Sequence, residues 1–295
     1  MKRVCFETKT SFAFVRVTGD DRFPFLQGQF TADLRPLEQG EEGTIYGLFL
    51  DNRGKMVADA FIQATAEEFL VYSPSVEPEI LIERLDNYLI ADEVELEDLT
   101  GVYSVVTIAG EPKEDFDGAI YQFPSRRWPV PALDFLLPAE KTTSFLKDCK
   151  EKGFSEADSE DVAEKRVLYN LPRVPHDTGH RLLPHEAGFE DAVCYTKGCF
   201  LGQEIMARFK NFGSRRKGLF PVRVDAENLP EPPFPITLNQ RKGAELVSFT
   251  KVSGDSGYGF AMLPLEWKNG DGIWSTDSGD NLSLKILETN LNADG

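Results

Sequence analysis

The hydrophobic pattern of the chain changes near residue 214, and this change constrains the fold more than any other feature. Before it, apolar runs with strand periodicity alternate with segments of helical spacing, such as residues 77–88. After it, short apolar runs are separated by Pro, Gly and Asn. These later runs cover residues 218–224, 244–252, 257–263 and 282–287. The first pattern predicts an α+β fold, and the second predicts a small all-β barrel or sandwich.

The length of 295 residues also favours more than one domain. We predict an α+β domain over residues 1–213, built from two intertwining subdomains at roughly 1–112 and 113–213, and a β-barrel over residues 214–295. Within the first subdomain, apolar runs at 44–49 and 56–63 flank a polar loop that contains Gly54. This arrangement predicts a β-hairpin.

The charge balance limits the possible partners. With 32 basic and 49 acidic residues the net charge is −17, which repels phosphate backbones and anionic membrane surfaces. We therefore expect neither direct DNA binding nor membrane association. No apolar run has transmembrane length, and the first residues lack the features of a signal peptide. These features predict a cytoplasmic protein, and the four scattered cysteines fit a reducing compartment.

Residues 197–207 form the most site-like segment, because Cys199 stands there between glycines and near Lys197. A thiolate is favoured by a nearby cation, by backbone N–H groups and by the start of a helix. In one interpretation Cys199 is a reactive thiolate at the entrance of a helix that runs from about Leu201, with Lys197 lowering its pKa. In the other it is a small buried side chain in a tight turn, where Gly198 and Gly202 permit positive φ or close packing.

Three polar residues continue this segment. Gln203 and Glu204 can hold the amide-like edge of a ligand such as a pterin, because a carboxylate accepts two hydrogen bonds from a planar donor pair. Alternatively, Glu204 is an acid in the first turn of a helix, paired with Arg208 four residues later.

A basic island surrounds the same segment. Residues 197–217 hold six basic side chains against one acid. It can bind an anionic ligand tail such as a polyglutamate, or a segment of RNA, or it can be a solvated linker between domains.

Other candidate groups are less informative. All three histidines, His176, His180 and His185, fall within ten residues, but Gly179 and Pro184 prevent a regular helix from presenting them together. We predict no metal site. Asp59 is one of several aspartates that qualify as a general base by residue type alone.

The residues from Lys197 to Glu204 match the pattern K-G-C-[YF]-x-G-Q-E, and on this basis the chain resembles the YgfZ family, relatives of the aminomethyltransferase (T-protein) of the glycine cleavage system. The resemblance extends over nearly the whole chain. Further segments that agree in order are residues 17–28, 47–59, 84–88, 171–173 and 183–186 and the closing β segment.

This resemblance implies two α+β subdomains around a central cavity that holds tetrahydrofolate or a derivative, followed by a β-barrel. It implies a folate-binding accessory protein that supports assembly or repair of iron–sulfur proteins, including cluster enzymes that modify tRNA. Its partners would be iron–sulfur client or assembly proteins. Cys199 takes the place of the reactive family cysteine, whose thiolate would serve a transient iron–sulfur cluster, a persulfide or thiol exchange.

The sequence departs from T-proteins at two places and from folate-binding YgfZ proteins at a third. An Asp-Asp pair is reduced to Ala58-Asp59, and a folate-anchoring glutamate aligns with Leu168. Phe12 stands where folate-binding YgfZ proteins carry tryptophan, which keeps an aromatic face for stacking. These departures favour the accessory role, with Phe12, Gln203, Glu204 and Arg208 as the residues that bind folate.

Two other hypotheses stay open at this point. One is a folate-dependent aminomethyl or one-carbon transferase, with Asp59 as the base and Cys199 structural. The other is a binding scaffold without folate or chemistry.

Overall fold

A computed structural model describes residues 3–110, 116, 118–129, 131–213, 215–268 and 272–288, with the side chains of His180 and Phe212 excepted. The strands are β1 Val4–Glu7, β2 Ala13–Thr18, β3 Ile45–Leu50, β4 Met56–Ala64, β5 Phe69–Ser73, β6 Glu95–Asp98, β7 Tyr103–Ala109, β8 Tyr121–Pro124, β9 Ala132–Pro138, β10 Ser155–Glu156, β11 Lys217–Asp225, β12 Phe234–Leu238, β13 Arg241–Ser253, β14 Ser256–Pro264, β15 Trp274–Thr276 and β16 Asn281–Ile286. The α-helices are α1 Arg22–Gln29, α2 Arg35–Glu38, α3 Pro78–Asp86, α4 Thr142–Glu151, α5 Ser159–Leu168 and α6 Gln203–Phe212.

The first sheet has the strand order β3-β4-β5-β2-β6. Its strands β3 and β4 form the predicted hairpin, with Leu48 opposite Asp59. Helices α1 and α3 cover the outer face, because their apolar side chains are buried in one cluster with those of the sheet. Leu26 of α1 and Leu81 of α3 are fully buried there.

The second sheet has the order β10-β1-β7-β9-β8. Strand β1 pairs antiparallel with β7 and parallel with β10, so it joins strands that lie about 100 residues or more further along the chain. Helix α4 covers the outer face of this sheet through Phe145 and Cys149. The two sheets therefore interleave along the sequence.

The inner faces of the two sheets meet in an aromatic cluster. Phe14 and Tyr72 of the first sheet pack against Phe123 of the second, with ring centroids 6.1 and 4.9 Å apart. The Tyr72 hydroxyl donates a 2.8 Å hydrogen bond to the fully buried Asp134. Apolar contact and one satisfied polar network thus hold the sheets together.

The last six strands close into a barrel in the order β11-β14-β13-β12-β15-β16, with its own apolar interior. Helix α5 packs on strands β13 and β14 and joins the barrel to the rest of the chain. The predicted fold, α+β with a C-terminal β-barrel, is confirmed. The boundary residue Ser214 lies outside the described residues, and the limits 1–213 and 214–295 stay predictions, as does the subdomain division at 112. Among the described helices, none has the length and apolar character that crossing a membrane requires.

Candidate functional site

A cavity of about 400 Å³ lies where both sheets, helix α5 and the barrel meet. Its size falls within the range of small-molecule sites, roughly 300 to 1,000 Å³. Residues from distant parts of the chain contribute to its wall. They include Phe6, Asp59, Arg126, Arg127, Arg166, Arg173 and Thr250.

Asp59 is the buried acid of this cavity. It lies in the middle of β4 and is only 2% exposed. Its Oδ2 accepts a 2.9 Å hydrogen bond from the Tyr46 hydroxyl, whereas its Oδ1 has no hydrogen-bond partner among the residues that the structure describes. Burial raises the pKa of the Asp59 carboxyl, and the charge of Arg126 opposes this effect. An unpartnered buried oxygen in a cavity wall is suited to accept a hydrogen bond from a ligand.

Arg126 is a cation of the cavity wall that has no ion pair with the described residues. Its guanidinium carbon lies 4.6 Å from the ring centre of Tyr46 and 5.1 Å from that of Phe189. Its Nε–H finds no acceptor among the described residues. The sequence analysis did not identify Arg126. The signal that could have indicated it is a pair of arginines between two prolines, just before a buried strand.

The other arginines of the wall are held in ion pairs. Arg127 bonds to Asp134, and Arg166 and Arg173 both bond to Asp177, which is fully buried. These pairs fix the shape of the cavity. Within the part of the chain that the structure describes, Arg126 is therefore the wall arginine whose donors are available to a ligand.

The residues present fit a folate. A pterin presents N–H donors beside a carbonyl acceptor on a planar ring, and the wall offers one free carboxyl oxygen, one free guanidinium and nearby aromatic rings. Asp59 and Arg126 would hold such a ring, and the folate would supply its one-carbon chemistry when bound.

A second group of predicted residues lies in the loop before α6, which Lys197 anchors. The buried Lys197 ammonium donates three hydrogen bonds, of 2.7, 2.7 and 2.8 Å, to the carbonyl oxygens of Gln27, Phe30 and Ala32. Burial lowers the pKa of Lys197 to about 8. All three N–H groups of the ammonium are thereby engaged by backbone. The prediction that Lys197 activates Cys199 stays a prediction.

Gly202 and Gly198 differ in their surroundings. Gly202 has φ +84° at the start of α6, and a Cβ added to it would lie 3.0 Å from the Asp51 carbonyl oxygen and 3.1 Å from Gly54 Cα. Glycine is therefore required at 202 for both conformation and close packing. A Cβ at Gly198 would meet open space.

The two cysteines of the loop are both accessible. Cys199 is exposed, so the interpretation that it is a small buried side chain is wrong. Cys194, half-buried, lies 3.4 Å from the Thr196 hydroxyl. That hydroxyl and the backbone N–H groups of Thr196 and Lys197 lower the pKa of the Cys194 thiol. Sequence reasoning missed Cys194, because its donors come from the folded loop.

Sequence comparison relates the chain to known proteins. No family model matches it. A putative chloroplastic transferase of Arabidopsis thaliana is 26% identical over 272 residues, which cover 84% of this chain and 62% of that protein. The tRNA-modifying protein YgfZ of Yersinia pestis (strain Pestoides F) is 24% identical over 235 residues, which cover 74% of this chain and 71% of the relative. YgfZ of Hamiltonella defensa is 25% identical over 240 residues.

This chain is a homologue of the YgfZ proteins. Its match spans less than two thirds of the plant relative's length. Among solved structures, the glycine cleavage system aminomethyltransferase T from Bartonella henselae superposes with a TM-score of 0.76. The match covers 98% of this chain and 86% of that chain at 12% sequence identity, which shows a shared fold.

In this YgfZ homologue, the residues predicted to bind folate do not surround the cavity. Phe12, Gln203, Glu204 and Arg208 are all described, and none of them is among the residues of its wall. Phe12 packs on Tyr72 with ring centroids 6.4 Å apart. Helix α6 instead packs its buried Met206 against the hairpin, which leaves Glu204 and Arg208 exposed and without an ion pair between them. Their role in folate binding stays a prediction.

The basic island is dispersed in this YgfZ homologue. Lys197 is buried, Lys210 lies 4.0 Å over the Tyr195 ring, and Arg215 donates to the Glu186 carbonyl oxygen. His176 and His185 also have separate partners, because His176 bonds to Asp177 and the His185 ring packs against Phe209, whereas the side chain of His180 lies outside the described part of the chain. In the described part of the chain, no three His, Cys, Asp or Glu side chains are grouped to hold a metal ion.

Proposed function

We propose that this protein is a cytoplasmic, folate-binding accessory protein that supports the assembly or repair of iron–sulfur proteins, including enzymes that modify tRNA. The observation that supports the folate part is the buried Asp59, which lines a cavity of about 400 Å³ and has one carboxyl oxygen without a hydrogen-bond partner among the described residues. The relationship to proteins named tRNA-modifying protein YgfZ supports the rest.

Cys199 is the reactive group in this proposal. Its thiol is exposed on a loop that Lys197 ties to backbone carbonyls and that Gly202 seats against the hairpin. A thiol that is accessible on a rigid loop can approach a partner protein at low entropic cost. The thiolate would take part in thiol exchange, carry a persulfide or hold a transient iron–sulfur cluster together with ligands from a client or assembly protein.

Folate binding is tested by thermal unfolding with tetrahydrofolate. A ligand at about 100 times its dissociation constant stabilises a protein by about 2.7 kcal/mol, which raises Tm measurably. We expect this rise for the wild type and its loss in Asp59→Leu, which removes both carboxyl oxygens. An unchanged Tm in the wild type at high folate concentration contradicts folate binding and favours a scaffold role.

The iron–sulfur role is tested by expression in bacteria that lack their own YgfZ protein, with methylthio-modified tRNA as the readout. We expect rescue by the wild type and by Cys194→Ala, and loss of rescue in Cys199→Ala. Cys194→Ala is the matched control, because it removes another accessible thiol of the same loop. Rescue by Cys199→Ala would make the signature thiol dispensable.

A folate-dependent one-carbon transferase is the second candidate. It is favoured by the burial that raises the pKa of Asp59, since a carboxyl so placed is suited to accept a proton from an amine substrate. Incubation with tetrahydrofolate and N-methyl amines tests it. Formation of methylene-tetrahydrofolate by the wild type, abolished in Asp59→Asn, supports the transferase and displaces the accessory role.

A further inference from the structure

A further cavity lies away from the central one, beside the C-terminal half of α6. Its volume is about 540 Å³, which is within the range of small-molecule sites. Its lining residues come from two segments, 185–195 and 209–215. None of these described residues lines the central cavity, so the two cavities are separate sites. We call this cavity the α6 groove.

Aromatic rings form part of the surface of the α6 groove. The His185 ring packs on the Phe209 ring, with centroids 4.6 Å apart, and joins the two segments at one point. The Lys210 ammonium lies 4.0 Å from the centre of the Tyr195 ring and joins the segments at another. Phe209 and Tyr195 are only half-buried, so each ring has surface that a ligand can cover. Such a surface favours a ligand with an aromatic ring of its own.

Charges of both signs line the α6 groove without pairing. Glu190 and Asp191 belong to the first segment, and Lys210 and Arg215 belong to the second. All four side chains are exposed, and none of them forms an ion pair with a residue that the structure describes. Burial raises the pKa of the Tyr195 hydroxyl and the charge of Glu190 adds to this effect, so an acid lies near the same ring that Lys210 covers. Acids and bases that do not neutralise each other are available to the two charges of one ligand.

The two cations of the α6 groove are held in place by contacts that leave donors available. Arg215 donates from Nε to the carbonyl oxygen of Lys217 at 3.3 Å and from Nη2 to that of Glu186 at 3.1 Å. Its Nη1 has no acceptor among the described residues. The Tyr195 ring holds the Lys210 ammonium through its π face. Cations that are already positioned lose little side-chain entropy when a carboxylate binds.

We infer that the α6 groove binds a free aromatic α-amino acid in its zwitterionic form. The ring of the amino acid lies against Phe209 and Tyr195. Its ammonium group donates to Glu190, and its carboxylate accepts from Lys210 and from Nη1 of Arg215. A ligand with a single charge would meet like charges on one of the two segments, whereas a zwitterion is complementary to both. The inference is independent of the proposed folate function, because the α6 groove and the central cavity share no described residue.

Fragments of the ligand test this inference on the wild type alone. We would titrate the protein by calorimetry with L-phenylalanine, with 3-phenylpropionate, which lacks the ammonium group, with phenethylamine, which lacks the carboxylate, and with glycine, which lacks the ring. We expect L-phenylalanine to bind and each fragment to bind more weakly by about tenfold or more, since hydrogen bonds to charged groups contribute at this level. No binding of L-phenylalanine at millimolar concentration, or equal binding of any fragment, would overturn the inference.

Variants of the protein locate the bound amino acid. Glu190→Gln and Arg215→Gln should each weaken L-phenylalanine binding by about tenfold. Lys210→Met tests the carboxylate end without breaking the bonds of Arg215 to backbone carbonyls. Arg216→Gln is the matched control, because Arg216 is exposed next to Arg215 and does not line the α6 groove. Asp59→Leu, which changes the wall of the central cavity, should also leave binding unchanged.

Circular dichroism and Tm verify that each variant folds. Weaker binding in the groove variants, with Arg216→Gln and Asp59→Leu like the wild type, supports the site. Unchanged binding in the folded groove variants would place the amino acid elsewhere and overturn the assignment. Loss of binding in Asp59→Leu alone would place the amino acid in the central cavity, which also overturns it.

Discussion

The ammonium nitrogen of Lys197 lies 2.7 Å from the carbonyl oxygen of Phe30, at the end of α1. Two further carbonyls, those of Gln27 and Ala32, complete its set of acceptors. A charged donor that satisfies three buried carbonyls holds the Cys199 loop against the end of α1 and the residues that follow it. Its removal has consequences that can be measured.

Lys197→Met is expected to destabilise the protein by roughly 3 kcal/mol, because three buried carbonyls lose a charged donor. Urea unfolding measures this change. Lys210→Met is the control, since Lys210 is exposed and contacts the Tyr195 ring at 4.0 Å, a contact that contributes about 0.5 to 1 kcal/mol. Equal losses in the two variants would contradict the anchoring role of Lys197.

The two loop glycines provide a matched pair. Gly202→Ala should cost about 1 to 3 kcal/mol, because alanine at φ +84° is strained and its Cβ crowds the Asp51 carbonyl. Gly198→Ala should change stability by less than about 0.5 kcal/mol, because its Cβ meets open space. Thermal unfolding of both variants measures the two losses of stability. A larger loss in Gly198→Ala than in Gly202→Ala would contradict the close packing of Gly202 against the hairpin.

Thiol reactivity should divide the four cysteines into two classes. Iodoacetamide at pH 7 is expected to label Cys194 and Cys199, whereas Cys5 and Cys149 are buried and react only after unfolding. Because the Thr196 hydroxyl lowers the pKa of Cys194, Thr196→Val should slow the labelling of Cys194 and leave that of Cys199 unchanged. Peptide-resolved mass spectrometry gives both rates. Equal labelling of all four cysteines would contradict the burial of Cys5 and Cys149.

The Asp59 carboxyl should make stability depend on pH. Burial raises its pKa above the usual 3.8, so the folded protein binds more protons than the unfolded chain in the interval between the two values. Its stabilising contribution is therefore complete below about pH 4 and is lost as pH rises through the folded pKa. Without folate, Asp59→Asn should be more stable than the wild type at pH 7, by on the order of 1 kcal/mol for each unit of pKa difference.

Chemical unfolding at pH 7 and at pH 4.5 tests this prediction. We expect the difference in the free energy of unfolding between Asp59→Asn and the wild type to be smaller at pH 4.5. Tyr46 keeps its hydrogen bond in the variant, because the side-chain amide oxygen can accept it. A variant less stable than the wild type at pH 7 would mean that the attraction of Arg126 exceeds the cost of burying the charge.

Local patterns predicted the hairpin and the barrel, because turn residues between apolar runs determine both. The cavity could not be predicted in the same way. Asp59, Arg126 and Arg166 lie on three separate elements, and their meeting depends on how the two sheets and α5 pack. The sequence also did not predict that Lys197 anchors the loop before α6. Its partners are backbone carbonyls, which every residue type carries, so the residue types give no sign of these bonds.

The place of β1 between β7 and β10 has a consequence for synthesis on the ribosome. The first sheet draws all its strands from residues 13–98 and can assemble as soon as they emerge. Strand β1 leaves the ribosome earlier, yet its partners Ala109 and Ser155 come more than 100 residues later. During that interval an apolar strand with two unpaired edges is exposed, which makes the nascent chain a natural client for a chaperone.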